Sequence, residues 1–430
     1  MVVLEMGLHE ELLEETGSSK RTGPSLIWKH VVFAEEESGI WIFWRRGLVI
    51  NDPDLSRKIL VKDADTFRNR MLASGKSDPM GALNLFTVDD PLWTSLRRRL
   101  TSVFTGSKLR GWQELYQAKV DDLIYRINSD NEKGIVSELK SLFADYATDI
   151  IGESSFGIQC QSTRNSTGPL RMMTKEFEKY NQWRGMAWSS IFFLPEMVDI
   201  LRFSFWPKNT VTYFRKIFKV MVEERGGFEK DIDGKRDLLD ALLKMKIDAQ
   251  KENQEMDIDI LISNAMIFLQ GGYDTSSSAL TYAVYELAYN QTMRKYPIMG
   301  WLDRKALRDY QVNESLTIPA NTVVYINAIG MHWDPKYFPN PEEFRPDRFL
   351  PENANNIVPY SYLPFGEGPR MCIGKRIGMN TVRYALAAVV LNFEIFPLAK
   401  LPQPNDIPIE TKGLLYHPAI PLSVEFKRRK

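Results

Sequence analysis

"PFGEGPRMCIGKR", residues 364–376, sets a single cysteine between an arginine and a glycine in a loop otherwise made of turn formers. Gly366, Gly368 and Gly374 permit close backbone approach and positive φ, and Pro369 stiffens the turn before Arg370. Such a loop can lie flat against a planar partner. Cys372 stands just before a helical stretch that begins around Ile373 to Gly378, so backbone N–H groups and the positive helix end favour its thiolate. Phe365 can shield the sulfur, and Arg370 can meet an anionic group. The ordinary fate of a cysteine is an inert, buried thiol, which is the reading for Cys160 in "SSFGIQCQS".

The remaining composition narrows the chemistry. The 430 residues are 44% hydrophobic and 12% aromatic, enough for a large core. Fifty-five basic residues balance fifty-five acidic ones, which leaves no global field for nucleic acid. Two cysteines exclude a disulfide framework, and four scattered histidines form no paired metal motif. A metal in this chain is therefore expected inside a cofactor. The opening residues are too acidic and broken for a signal peptide, and nothing reaches the roughly 20 apolar residues of a membrane span. "WSSIFFLPEMVDILRFSFWP", residues 188–207, reads either as a buried turn between helices or as an interfacial membrane contact.

Along the chain, "GIWIFWRRGLVIND" gives two aromatic and β-branched runs parted by "RRG", the pattern of a hairpin. "DPDLSRKILVKD" then predicts a helix with Pro53 near its start. Helical periodicity dominates from Asp90 to about Lys295. After Pro297, strand-like pieces such as "NTVVYINAI" alternate with Pro- and Asn-rich loops, before a last helix, "GMNTVRYALAAVVLNFEIF", and a strand-like tail. No Gly, Ser or Pro linker divides the chain. The expectation is a mainly α fold with small β-sheets in one large domain over residues 1–430, with residues 1–28 as an atypical start.

The loop has the form Phe-x-x-Gly-x-Arg-x-Cys-x-Gly, carried by Phe365, Gly368, Arg370, Cys372 and Gly374. In this it resembles the haem-binding loop of the cytochrome P450 monooxygenases. The resemblance implies haem b as cofactor, Cys372 as the axial thiolate on its iron, and Arg370 paired with a propionate. Three further stretches match in order. In "DDPLWTSLRRRL", Asp90 is placed as N-cap and Pro91 at the first helical position, and Trp93 and Arg97 share a helix face. The family uses such a pair on the propionates. In the long helix expected from Asp257 to Asn290, "GGYDTS" resembles the oxygen-activation motif through Gly271, Gly272, Asp274 and Thr275. Glycine there costs about 1 kcal/mol relative to alanine, which either close helix packing or room for a cofactor could offset. Asp274 and Thr275 are implied to relay protons, with Gly272 leaving room beside them. "FRPDRF" matches through Pro346, Asp347, Arg348 and Phe349, and Arg304 stands where many members bind a propionate.

The resemblance, closest to microsomal animal members and insect detoxification enzymes, implies a monooxygenase that inserts one oxygen atom from O2 into an apolar small molecule. Candidate substrates are a xenobiotic, a steroid or a fatty-acid-like molecule. Electrons would come from NADPH through NADPH-cytochrome P450 reductase, docking on a face that includes Arg98, Arg99, Lys375 and Arg376. Substrate contacts are expected from residues 71–92, Phe268, residues just after Pro297, Leu414 and Leu415. The implied location is the cytosolic face of the endoplasmic reticulum membrane, held peripherally, since no anchor helix or proline-rich hinge is legible before Lys29.

The chain departs from the pattern at "YNQTMRKYP". Arg294 fits the family's Glu-x-x-Arg helix, but Gln291 stands at the glutamate position. Thr275 and Cys372 are 97 positions apart, which implies that roughly 30 residues, a helix with its connections, are absent before Gln291. An unbroken helix would carry Arg294 roughly 28 Å from Thr275, so the helix is expected to break near Asn290. The alternative reading is a truncated or splice-variant chain that keeps the motifs without holding haem. A cysteine-nucleophile hydrolase is disfavoured because no histidine lies in a partner motif.

Overall fold

The computed structural model describes residues 37–429 apart from 231, 290–293, 344 and 414. Gln291 and Leu414, singled out above, lie outside the described residues, as does the start of the chain. The fold is mainly α with small sheets. Its described residues group into two compact units, one drawn from 1–72, 293–372 and 408–419, the other from 73–292, 373–407 and 420–430.

The first unit is built on strands. β1 (Glu37–Ile42), β2 (Arg45–Ile50), β3 (Leu302–Lys305) and β6 (Val323–Ile326) form one sheet in the order β1-β2-β6-β3, while β4 (Tyr310–Gln311) and β5 (Thr317–Ile318) form a small ribbon. β2 runs parallel to β6, and the other pairs are antiparallel. Leu48, Ile50, Val324 and Ile326 pack with Leu55, Ile59, Phe338 and Leu363 in its core. The hairpin expected from "GIWIFWRRG" is present, but its turn is not at "RRG". Ile42 pairs with Arg45, so Phe43 and Trp44 make the two-residue turn and the arginines open β2. Pro53 opens a short helix, Pro53–Arg57, capped by the Asp52 carboxylate, which accepts from the Leu55 N–H at 2.6 Å.

The second unit is a helix assembly: α1 (Leu92–Thr101), α2 (Gln113–Glu132), α3 (Leu139–Phe156), α4 (Pro169–Phe177), α5 (Gln182–Phe193), α6 (Lys208–Glu224), α7 (Leu238–Lys251), α8 (Ile258–Ala288) and α9 (Lys375–Asn392). α8 is the central rod: at 31 residues it spans roughly 45 Å, capped by Asp257, and packs most extensively on α3. α9 lies against both α8 and α2. "FEIF", expected as helix, is instead strand β7 (Phe393–Pro397), paired with β8 (Val424–Arg428). Its β-branched and aromatic residues suit a pleated surface better than another helical turn.

Two expectations bear on burial and on helix ends. In residues 188–207, Trp188, Ile191, Phe205 and Trp206 are at most 5% exposed, and Trp206 Nε1 donates to Gln270 Oε1 on α8 at 2.7 Å. Most rings of the stretch are core, as its buried reading expects, while Ile200 and Leu201, on a short helix Pro195–Leu201, are 70% and 38% exposed. α8 stops at Ala288 with Tyr289 as its cap, close to the break that the position of Arg294 required.

Candidate functional site

The cysteine loop sits in the first unit and is shaped by its glycines. Gly366 and Gly368 have φ of 66° and 77°, and a Cβ on Gly368 would lie 1.8 Å from the Leu60 carbonyl oxygen. No other residue fits there. Gly374 corrects the expectation of positive φ: its φ is −87°, and it serves as the N-cap of α9. The Cys372 N–H donates to the Phe365 carbonyl at 2.8 Å, closing the loop, and the Cys372 side chain is exposed. Phe365 itself is half-buried.

Around this loop the first unit collects buried cations. Arg370 is 8% exposed and its Nε donates to the Arg68 carbonyl at 2.6 Å. Arg304, on β3, is 3% exposed; burial and the neighbouring Arg70 lower its pKa to about 9, against the opposing pull of Asp303. Burial also lowers Arg70, opposed by Asp303 and by Cys372, which places the sulfur within electrostatic reach of that guanidinium. The Asp303 carboxylate is 4% exposed and accepts the Met71 N–H at 3.0 Å. The buried Arg304 and Arg370 and the half-buried Arg70, with Asp303, make a cradle suited to a doubly anionic ligand. Arg70 was not among the sequence candidates. It lies in "FRNRM", where no spacing rule ties it to Cys372.

Arg294 and Arg348 also fall in this unit. The Arg294 guanidinium, 4% exposed, donates to the carbonyls of His332 and Pro341 and lies over the rings of Trp333 and Phe338. Arg348 donates to the Asn340 carbonyl at 2.9 Å.

The oxygen motif sits in the middle of α8, in the second unit. Gly271 and Thr275 are one turn apart on an incompletely buried stripe that also takes in Phe268 and Ala279, while Tyr273 and Asp274 are buried. A Cβ on Gly271 would meet nothing within 4 Å. One on Gly272 would sit 2.7 Å from Ile151 on α3. The two glycines therefore answer to different causes: open space at Gly271, and close helix packing at Gly272. Thr275 Oγ1 donates to the Gly271 carbonyl at 2.6 Å, an ordinary back-bond, and α8 continues unbroken through it.

Asp274 is 5% exposed and bound on the other side of the helix. Lys140 Nζ, from α3, lies 2.7 Å from its Oδ1 and also donates to the Asp274 carbonyl and to Ser277 and Ser278 Oγ. Lys140 was likewise absent from the sequence candidates. Trp93 and Arg97 stand one turn apart on α1, Trp93 being 5% exposed and Arg97 half-buried. Asp90 acts near the expected N-cap position, accepting the Thr94 N–H at 3.0 Å, although the helix begins at Leu92. Cys160 is an inert core thiol: burial, then Asp149 and Glu153, push it up to about 12.

Within the first unit, the cysteine loop and the cationic cradle fit a dianionic cofactor that carries a metal. No cluster of metal-binding side chains occurs among the described residues.

Comparison with known proteins gives this geometry its family. The cytochrome P450 family model matches residues 36–292 and 290–424, two pieces that meet where the sequence reading placed missing residues. Cytochrome P450 6k1 of Blattella germanica is 29% identical, covering 94% of this chain and 87% of that protein. That aligned stretch, 463 residues, is longer than the 430 of this chain, so the cockroach protein carries residues that this chain lacks. Cytochrome P450 3A9 of Rattus norvegicus is 30% identical over 89% of this chain and 82% of its own length. Probable cytochrome P450 6g2 of Drosophila melanogaster is 30% identical over 87% and 83%. With the family model and these relatives spanning most of its length, the chain belongs to the cytochrome P450 family.

Proposed function

We propose that the chain is a microsomal monooxygenase whose haem iron is ligated by Cys372 and whose substrate is an apolar small molecule, xenobiotic, steroid or fatty-acid-like. The observation that carries the reading is the exposed Cys372 on a loop shaped by Gly368, within electrostatic reach of the half-buried Arg70. In this reading both compact units belong to one haem domain. NADPH supplies electrons through its cytochrome P450 reductase, and Arg98, Arg99, Lys375 and Arg376 serve as docking cations. The cytosolic face of the endoplasmic reticulum membrane is the working location. Among the described residues no helix is long and apolar enough to cross a membrane.

When bound, the haem supplies the activation of dioxygen, with the thiolate as electron donor to its iron. The protein's own residues do the rest. Arg304, Arg370 and Arg70 would hold the propionates, and Trp93 and Arg97 are the residues that the resemblance adds for them. Gly271 leaves the face of α8 open, and Thr275 holds a hydroxyl proton there, one turn further along. Asp274, fixed by Lys140, orients that turn of the helix and keeps a carboxylate next to Thr275 in sequence. Phe268, stacked on Phe104 with ring centres 5.3 Å apart, offers an apolar wall suited to a hydrophobic substrate.

The test is to express the chain, quantify haem and record the spectrum of the reduced carbon monoxide complex. A thiolate-type Soret band that is lost in Cys372→Ala is the expected result. A chain that purifies without haem and takes none up would overturn the reading in favour of the haem-free variant suggested by Gln291 and the two-piece family match. The propionate roles are checked separately: protoporphyrin IX should bind at least about tenfold more tightly than its dimethyl ester, because only the diacid meets the arginines.

A further inference from the structure

α2 and α9 pack side by side in the second unit and leave a groove between them. On α9, Arg383, Ala387 and Leu391 recur every fourth residue and share one face, and on α2 Val120 and Ile124 face them. The ring of Tyr116 stacks on that of Tyr384, centres 4.9 Å apart, and joins the helices at the Arg383 end. Beyond that contact α9 presents Ala387 and Ala388, whose side chains are too short to reach across. The result is a groove of about 390 Å³, with Leu391, 75% exposed, at its other end. Leucine at Ala387 would suit the helix nearly as well, and it would fill the space.

Charge enters this groove at one end only. Arg383 is the one charged residue in its lining. It is exposed, and among the described residues its guanidinium has no hydrogen-bond, ion-pair or ring partner. The other polar groups are already engaged: the Gln117 amide donates to Asp121 at 3.0 Å, and the Asn392 amide donates to the Ala388 carbonyl at 2.9 Å. About 12 Å of helix separate Arg383 from Leu391.

These dimensions select the occupant. The volume falls in the range of small-molecule sites, roughly 300 to 1,000 Å³, whereas a partner helix about 10 Å across would not enter. An uncompensated guanidinium forks onto a carboxylate, and a line of short aliphatic side chains takes an unbranched alkyl chain. We propose that the α2–α9 groove binds a medium-chain carboxylate, with its head on Arg383 and its tail running over Ala387 towards Leu391. The site goes beyond the monooxygenase reading, since it shares no residue with the cysteine loop or the oxygen motif.

The test is calorimetric titration of the full chain, with haem or without it, using decanoate and decanol. Ala387→Leu sets a good helix former at an exposed position and fills the groove. Its thermal midpoint should be unchanged while decanoate affinity falls about tenfold. Arg383→Gln should lower decanoate affinity about fivefold and leave decanol within about twofold, and Arg383→Lys should restore part of the loss. A diazirine-bearing decanoate should cross-link to peptides of α2 and α9 in the natural chain and not in Ala387→Leu. Decanoate binding that is equal in the natural chain and both groove variants would put the ligand elsewhere and overturn the site, whatever the haem result. Binding that appears only where decanoate self-associates would overturn it too. A dimer in sedimentation velocity that dissociates in Leu391→Ser, in a chain that takes no decanoate, would assign the face to a second copy instead.

Discussion

Lys140 on α3 and Asp274 on α8 are 134 positions apart in sequence and joined by a 2.7 Å ion pair. The pair is largely shielded, with side-chain exposures of 15% and 7%, and the ammonium is shared with two serine hydroxyls and a backbone carbonyl. It ties the motif that carries Thr275 to its neighbouring helix. Lys140→Met would leave the Asp274 carboxylate buried without its cation, a loss expected to cost about 3 kcal/mol in denaturant unfolding. Combining it with Asp274→Asn should recover much of that, because the stranded charge is gone. A neutral Lys140→Met would mean the pair is effectively solvated.

Gly271 and Gly272 are adjacent, yet alanine should have opposite effects at the two. At Gly271 the added methyl meets open space, so helix propensity alone acts and Gly271→Ala should stabilise the haem-free protein by about 1 kcal/mol. At Gly272 the methyl would press on Ile151 at 2.7 Å, and overpacking of this kind typically costs about 1 to 3 kcal/mol. Thermal unfolding of the two variants should rank Gly271→Ala above Gly272→Ala. If Gly271→Ala also lowers haem uptake, the open stripe is where the cofactor lies.

What could be read from sequence was what local rules encode. The cysteine loop was legible because Gly368 and its neighbours obey turn chemistry, and Trp93 with Arg97 because helix spacing fixes a shared face. The start of α8 was legible from the Asp257 cap, and its end from the distance an unbroken helix would travel. Arg70 and Lys140 were not, because their partners are remote in sequence and no period links them. The hairpin turn was misplaced for a related reason: Phe43 and Trp44 have strand propensity and Arg-Gly has turn character, so local preference pointed two residues too far.

The two cysteines should differ sharply towards alkylation. Cys372 is exposed, whereas Cys160 is buried and its thiol is pushed up to about 12 by burial and by Asp149 and Glu153. Only thiolates react, so iodoacetamide at neutral pH should modify Cys372 in haem-free protein and leave Cys160 intact, as read by peptide mass spectrometry. Prior loading with haemin should protect Cys372. Unprotected Cys372 in a haem-loaded sample would remove it as the ligand.

His332 gives the fold a definite acid limit. It is fully buried, its Nε2 accepts the Leu363 N–H at 2.9 Å, and burial, reinforced by Arg294, lowers its pKa from 6.5 to about 3. The folded imidazole is therefore neutral throughout the range from pH 6.5 down to about 3, while the unfolded chain takes up a proton across it. Stability is fully present above about pH 6.5 and falls as the pH drops, by about 1.4 kcal/mol per pH unit from this residue alone. His332→Gln keeps an acceptor for the Leu363 N–H without a titrating ring. Urea unfolding at pH 7.0 and pH 5.0 should show a smaller acid loss in this variant than in the natural chain, by about 2 kcal/mol. Equal losses in both would mean that the ring is protonated in the folded state and that the Leu363 bond opens to admit the proton.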